Sequence, residues 1–313
     1  MKISFKTIWD IIKEIVDEYS DVKAPKLGAA LAYYTVFSLA PLLVIAIAVA
    51  GFVFGAEAAS GTIYTQIKGL IGPAGAALIE TAIKNSANKS SGLIATIISL
   101  VTLGIGATAV FIELQDSLDM IWKVKPKPSN AIWGFIKARL ISFALVVSVG
   151  FLLLVSLVVS AGLAALGEFM NNLGTIPIPI LAILNIIISL LVIITLFAMI
   201  YKILPDVELS WKDVRAGALF TAILFQLGKY LIGLYLGSSS ISSTYGAAGA
   251  LAVLLVWIYY SSQILFLGAI FTYVYANRFG SGIKPSAHAV ELSKQAYKEE
   301  EPVENNRPGT SKK

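Results

Sequence analysis

Six apolar stretches, each 19 to 29 residues long, constrain this chain more than any other feature of its sequence. A helix rises about 1.5 Å per residue, so about 20 apolar residues cross the hydrocarbon core of a bilayer. The stretches therefore predict an all-α, polytopic membrane bundle of six transmembrane helices. They are Val36–Phe54, Leu93–Ile112, Leu140–Leu166, Ile178–Tyr201, Val214–Leu236 and Ala248–Ala276.

Composition excludes a water-soluble fold of this size. Hydrophobic residues make up 57% of the 313 residues, charged residues make up 14%, and the mean hydropathy is +0.79. A soluble domain is closer to half apolar and a quarter charged, so lipid has to cover the excess apolar surface. The chain has no cysteine and a single histidine, His288, which leaves no thiolate metal site and no cysteine nucleophile.

The distribution of Lys and Arg predicts the orientation of the bundle. Segments on one side of the six spans carry 20 of these residues, and segments on the other side carry three. Because cytoplasmic segments are the ones enriched in Lys and Arg, we expect both termini in the cytoplasm.

Three regions follow from this pattern. Residues 1–27 place apolar side chains at helical spacing and predict an amphipathic helix, which lies on the cytoplasmic interface or packs on the cytoplasmic loops. Residues 28–278 hold the six spans, with short helices expected on the outer face in the Ala56–Ser91 loop. Residues 279–313 form a polar cytoplasmic tail whose composition predicts disorder.

Lys229 is the first candidate for a functional residue, because it lies deep inside the fifth span. A charge there costs several kcal/mol unless it is paired or hydrated. One interpretation is a polar cavity that binds an anion, a lipid headgroup or a coupling ion, with Gln226 on the same helical face. The equally weighted alternative is that Lys229 extends its ammonium group to the outer interface.

Four further residues are candidates to line the same pathway. Gln263 and Tyr259 lie in the sixth span, and Ser38 lies in the first. The alternative for each is an ordinary hydrogen bond between packed helices. Pro41, also in the first span, frees a backbone carbonyl and predicts a kink that shapes a site or is only structural.

An acidic cluster of Glu113, Asp116 and Asp119 follows the second span. It is a candidate for a cation access route or a proton relay at the cytoplasmic end. The favoured alternative is pairing of these carboxylates with nearby Lys or Arg residues.

The run GAALAYYTVFSLAP, from Gly28 to Pro41, resembles the signature opening of the YihY/BrkB family of bacterial inner-membrane proteins. Three more runs agree in order and spacing: LQDSLDMIW, YKILPDVELSWKDVRAG and STYGAAGALAVLLVWIYYSSQILFLG. The resemblance implies a six-span protein of the inner membrane with both termini in the cytoplasm. The family was formerly labelled ribonuclease BN, other names connect it to serum resistance and virulence, and some members are discussed as transporters. Its pattern commonly has Glu after Gly-Ala, where this chain has Ile270, so a role for that acid does not carry over.

Transport of an ion, a small solute or a lipid through a polar cavity is the favoured function, and a non-catalytic envelope scaffold is the alternative. A membrane-bound ribonuclease is least favoured, because RNA hydrolysis needs a metal site or acid and base groups outside the bilayer. We expect no enzymatic activity, and hence no catalytic residues, no metal, no cofactor and no nucleic-acid partner. The expected partners are the lipid bilayer and anionic headgroups at the basic loops, and a homo-oligomer remains open.

Overall fold

The computed structural model describes residues 5–54, 60–61, 64, 68, 76–81, 83, 93–127, 144, 178–238 and 241–292. These residues are mostly helical, as the sequence predicts. The long helices are α1 (Phe5–Asp21), α2 (Ala24–Phe54), α3 (Leu93–Ile121), α4 (Ile178–Ile203), α5 (Trp211–Ser238) and α6 (Ile241–Phe279). Helices α2 to α6 contain the predicted first, second, fourth, fifth and sixth spans, and the predicted third span, Leu140–Leu166, lies outside the described residues.

Within the described part of the chain, three segments are long and apolar enough to cross a membrane. They lie in α2, α4 and α6, namely Ala24–Val44, Ile186–Ile203 and Ala248–Phe279. Helix α6, with 39 residues, is central, because α1, α2, α3 and α5 all pack against it.

The first helix ends earlier than the predicted boundary at residue 27. Helix α1 stops at Asp21, and Lys23 adopts a left-handed conformation with a φ of 53° before α2 begins. Ile15 and Tyr19 pack against the core of the bundle. A second apolar strip of α1 stays exposed and includes Trp9, which is 62% exposed. Helix α1 therefore packs on the protein with one strip and leaves another uncovered.

Short strands follow the ends of three helices. They are β1 (Val124–Pro126), β2 (Val207–Glu208), β3 (Lys284–Pro285) and β4 (Ala289–Glu291). Strand β1 pairs with β4 and β2 pairs with β3, both antiparallel. The segment after α6 thus joins the connectors that follow α3 and α4. We call residues 122–127, 204–210 and 280–292 the cap.

The cap differs from the predicted disordered tail. Residues 280–292 are held by the two strand pairs and by backbone hydrogen bonds such as Ser286 N–H to Asp206 C=O, at 2.9 Å. Sequence composition missed this because the apolar members of the segment, such as Ala289, gain burial only against the other connectors. Residues 293–313 lie outside the described part.

Helices α3, α4 and α6 end at the cap, and α5 starts from it. Two ion pairs bring α1 to the same end: Glu18 with Lys123, at 2.8 Å, and Glu14 with Arg278, at 2.5 Å. The connectors that the sequence assigns to one side of a bilayer therefore lie together at one end of the bundle.

The opposite half of the bundle has its own apolar cluster. Residues 76–81 are helical, which agrees with a short helix in the Ala56–Ser91 loop. Ile79 is buried there with Ile232 of α5 and with Leu254 and Trp257 of α6. This part of the loop packs against the bundle.

Close contact of α4, α5 and α6 depends on glycine. The Tyr201 hydroxyl donates to the Leu265 carbonyl, at 2.7 Å, and lies 3.0 Å from the Thr221 hydroxyl. A methyl group at Gly268 would overlap Thr221 and lie 2.5 Å from the Tyr201 hydroxyl. Because glycine has no side chain beyond hydrogen, Gly268 leaves room for both hydroxyls at the interface.

We expect Gly268→Ala to destabilise the protein by about 1–3 kcal/mol, because the methyl group overpacks this interface. The measurement is the midpoint of thermal unfolding in detergent. Gly104→Ala is the matched control, since a Cβ at Gly104 meets no atom within 4 Å and alanine favours helix. Equal midpoints for the two variants would contradict the packing described.

Candidate functional site

The side-chain amide of Gln263 lies where α1, α2 and α6 meet. The hydroxyl of Tyr19 in α1 donates a hydrogen bond to Gln263 Oε1. On the α2 side, a methyl group at Gly28 would overlap Gln263 Nε2 and lie 3.5 Å from the ring of Tyr259. Gly28 therefore makes room for the amide, and Tyr19 fixes one of its two ends.

Three buried polar atoms of α5 and α6 have no hydrogen-bond partner within the described part of the chain. They are Gln263 Nε2, Ser261 Oγ and Gln226 Oε1. A buried polar group without a partner costs about 1–3 kcal/mol in proteins. In a membrane protein the surrounding hydrocarbon offers no compensating hydrogen bond.

The register of α5 and α6 places two of these atoms at the same height. Gly217 of α5 faces Thr272 of α6, and Gly228 faces Tyr260. The helices are antiparallel, so the same register puts Gln226 level with Gln263. We call Gln226, Ser261 and Gln263, which the register places at similar heights in α5 and α6, the amide site.

Lys229 does not join the amide site. Its side chain is exposed, and its neighbours Leu227, Tyr230 and Leu231 are 59%, 68% and 61% exposed. An exposed lysine among exposed apolar residues, in a helix of a membrane bundle, favours the interpretation in which the ammonium group reaches for the interface.

Ser38 and Pro41 lie on the side of α2 that faces the protein. Ser38 is 1% exposed. Helix α2 continues through Pro41, and the proline ring would lie 3.0 Å from a Cβ at Gly106 of α3. Pro41 thus contributes to a close approach of α2 and α3.

The acidic cluster lies beyond the predicted second span, in the last turns of α3. Asp119 is 3% exposed, and its Oδ1 accepts a hydrogen bond from the backbone N–H of Asp206, at 2.8 Å. Its Oδ2 is buried and has no partner among the residues that the structure describes. Burial raises the pKa of Asp119 to about 8. The N–H of Asp206 opposes that rise, and the negative charges of Asp206 and Asp116 add to it.

The other two members of the cluster follow the same trend. Burial raises the pKa of Glu113, and the charge of Asp116 adds to this. Burial also raises the pKa of Asp116, with a contribution from Asp206. Lys123, the first cation after the cluster, pairs with Glu18 of α1. No group of three or more His, Asp or Glu side chains arranged to hold a metal ion occurs among the described residues.

Three residues of these sites were not singled out by the sequence analysis. Tyr19 and Gly28 complete the surroundings of Gln263, and Asp206 completes those of Asp119. Gly28 and Asp206 belong to the runs GAALAYYTVFSLAP and YKILPDVELSWKDVRAG, which was the available signal. Ile270, which stands where the resembling family pattern commonly has Glu after Gly-Ala, is fully buried in the apolar core.

Comparison with known proteins gives a consistent set of relatives. A family model described as virulence factor BrkB matches residues 15–293. A UPF0761 membrane protein of Pseudomonas paraeruginosa is 26% identical over 79% of this chain and 58% of its own length. One of Pseudoalteromonas translucida is 28% identical over 82% of both chains, and one of Ralstonia nicotianae is 26% identical over 78% of this chain and 54% of its own. The chain thus spans just over half the length of the Pseudomonas and Ralstonia relatives, and no solved structure matches it.

We expect Tyr19→Phe to destabilise the protein by about 1–3 kcal/mol, because it leaves Gln263 Oε1 without its donor. In a Gln263→Leu background the same change should cost much less, since the acceptor is gone. Thermal unfolding in detergent of the single and double variants measures this coupling. Tyr34→Phe, at an exposed position on α2, is the control, and additive effects of the two changes would count against the contact.

Proposed function

Since the chain belongs to the virulence factor BrkB family, whose curated relatives here are membrane proteins, we propose that it transports an ion, a small solute or a lipid through its helix bundle. The observation that carries the proposal is the amide site, with three buried polar atoms that lack protein partners.

The physical argument starts from the membrane environment. Lipid tails cannot satisfy polar groups, so polar atoms left over inside a bundle point to water or to a passing solute. Amide and hydroxyl groups both donate and accept hydrogen bonds. A site built from them can replace part of the hydration shell of a polar molecule.

We further propose six spans, with the cap in the cytoplasm of a bacterial cell and the bundle in its inner membrane. Helices α3 and α4 both end at the cap. Helix α4 has 26 residues and rises about 39 Å from its start to the cap. The remaining span of this proposal is the apolar stretch Leu140–Leu166 of the sequence, which lies between α3 and α4 in the chain. The cationic residues near the cap support its cytoplasmic placement.

The exposed strip of α1 supports contact with the lipid interface. It consists of Ile8, Trp9, Ile12 and Val16. Tryptophan favours the boundary between hydrocarbon and headgroups, and basic segments near the cap favour anionic headgroups.

The test is flux in liposomes that contain the purified full chain. The panel covers monovalent ions, small neutral solutes and a labelled phospholipid. We expect Gln226→Leu and Gln263→Leu to lower the flux of the transported species about tenfold each, the effect of losing one hydrogen bond of about 1.4 kcal/mol.

Two further variants sharpen the result. Thr195→Val, at an exposed position on α4, is the matched polar-to-apolar control. Lys229→Met should also retain flux, because the side chain is exposed. Loss of flux in Lys229→Met together with normal flux in both glutamine variants would move the pathway away from the amide site. Silence of the wild-type protein across the whole panel would favour the envelope-scaffold function.

A further inference from the structure

Asp119 occupies an unusual position in the cap. It is one of two aspartates in the described residues that are 3% exposed, and the other is Asp213. Asp213 Oδ2 accepts hydrogen bonds from the backbone N–H and the hydroxyl of Ser281, at 3.4 and 3.2 Å. In the described part of the chain, Asp119 has one backbone donor for Oδ1 and none for Oδ2.

An ionised carboxylate in this position would be poorly compensated. Burying a charge is costly unless hydrogen bonds or an opposite charge replace its hydration. Among the described residues, the carboxylates of Asp116 on its own helix and of Asp206 on the α4–β2 connector act on Asp119. On the side of α6 and α1, the ammonium group of Lys123 is held by Glu18 and the ring of Tyr273.

We propose that Asp119 is a proton-binding site whose proton couples the cap to the transport proposed above, and the coupling rests on that proposed function. A bound proton removes the buried charge and the repulsion from the two neighbouring carboxylates. The proton is taken up from the solvent on the side of the cap.

The connector that contacts Asp119 provides the coupling. The backbone N–H of Asp206 binds Asp119, and the backbone C=O of the same residue accepts the N–H of Ser286. The next residue, Val207, opens the β2–β3 pair opposite Pro285. Loss of the proton leaves a buried charge that the N–H of Asp206 compensates only in part, because desolvation outweighs that hydrogen bond. Hydration of the ionised carboxylate therefore favours opening of the packing between α3 and the α4–β2 connector.

The acids of α3 also supply a path for the proton. Glu113, Asp116 and Asp119 follow one another at intervals of three residues, so they lie along one side of the helix. Asp119 contacts the cap, and Glu113 directly follows the predicted second span. A proton taken up at Asp119 can therefore be passed toward the bundle.

The proton site predicts a definite dependence of stability on pH. The ordinary pKa of an aspartate carboxyl is 3.8, and burial raises the pKa of Asp119 to about 8 in the folded protein. A group with a raised pKa contributes stability that is fully present below the lower value and is lost as pH rises through the upper one. The thermal midpoint of the full chain in detergent should fall between about pH 6 and about pH 9, and Asp119→Asn should flatten this fall.

Infrared spectroscopy tests the site directly, through the carbonyl stretch of a protonated carboxyl group. The wild-type protein should show a band that disappears as pH rises through about 8, and Asp119→Asn should lack it. Asp213→Asn, the equally buried control, should keep the band. A band that survives in Asp119→Asn would overturn the proton site. So would a wild-type thermal midpoint that does not change between about pH 6 and about pH 9, a measurement that needs no variant.

Flux then separates the two proposals. In liposomes, wild-type flux should change with the pH on the side of the cap. In Asp119→Asn this pH-dependent change in flux should be about tenfold smaller. Wild-type flux that does not depend on pH, although Asp119 titrates, would overturn the coupling and leave the transport proposal unaffected. Absence of any wild-type flux would overturn transport and coupling together, whereas the proton site is decided by the titration alone.

Discussion

Lipid hydrocarbon cannot accept or donate hydrogen bonds, and the arrangement of polar groups in this bundle follows from that constraint. Among the described residues, seven helix hydroxyls donate to carbonyls of their own helices, one turn earlier: Thr35, Thr81, Thr108, Thr195, Thr221, Ser262 and Thr272. Each hydroxyl therefore has a hydrogen-bond acceptor within its own helix. The amide site departs from this rule, because its three unpartnered atoms need a group from elsewhere.

The cap follows a different rule, because its groups find partners across the tertiary structure. Its strands join segments more than 70 residues apart in the chain, as the pairs Val124 with Glu291 and Val207 with Pro285 demonstrate. The ion pairs Glu18–Lys123 and Glu14–Arg278 then attach α1 to the same end. Asp206, the residue before β2, accepts the N–H of Ser286 and donates its own N–H to Asp119, so an ionisable group lies where the cap meets the helices.

Sequence reasoning located helices better than contacts. Five predicted spans fall within α2 to α6 because long apolar runs in a membrane have few alternatives to helix. Helix bounds were less accurate, since α2 begins at Ala24, well before the predicted span, where its residues pack on α6. The prediction also treated Lys229 and Gln226 as one polar stripe. Two residues that are three positions apart on a helix can still face different ways. Here Gln226 is partly buried in the bundle, whereas Lys229 is exposed.

The sequence by itself determined that this chain is a membrane protein, which segments are helical and which connectors are basic, because hydropathy and charge act residue by residue. Only the tertiary structure decided that Tyr19, Gly28 and Gln263 meet, that Gln226 lies level with Gln263, and that Asp206 confronts Asp119. These contacts join residues up to 244 positions apart. Their existence depends on how glycines and long side chains fit between packed helices, which no local pattern in the sequence encodes.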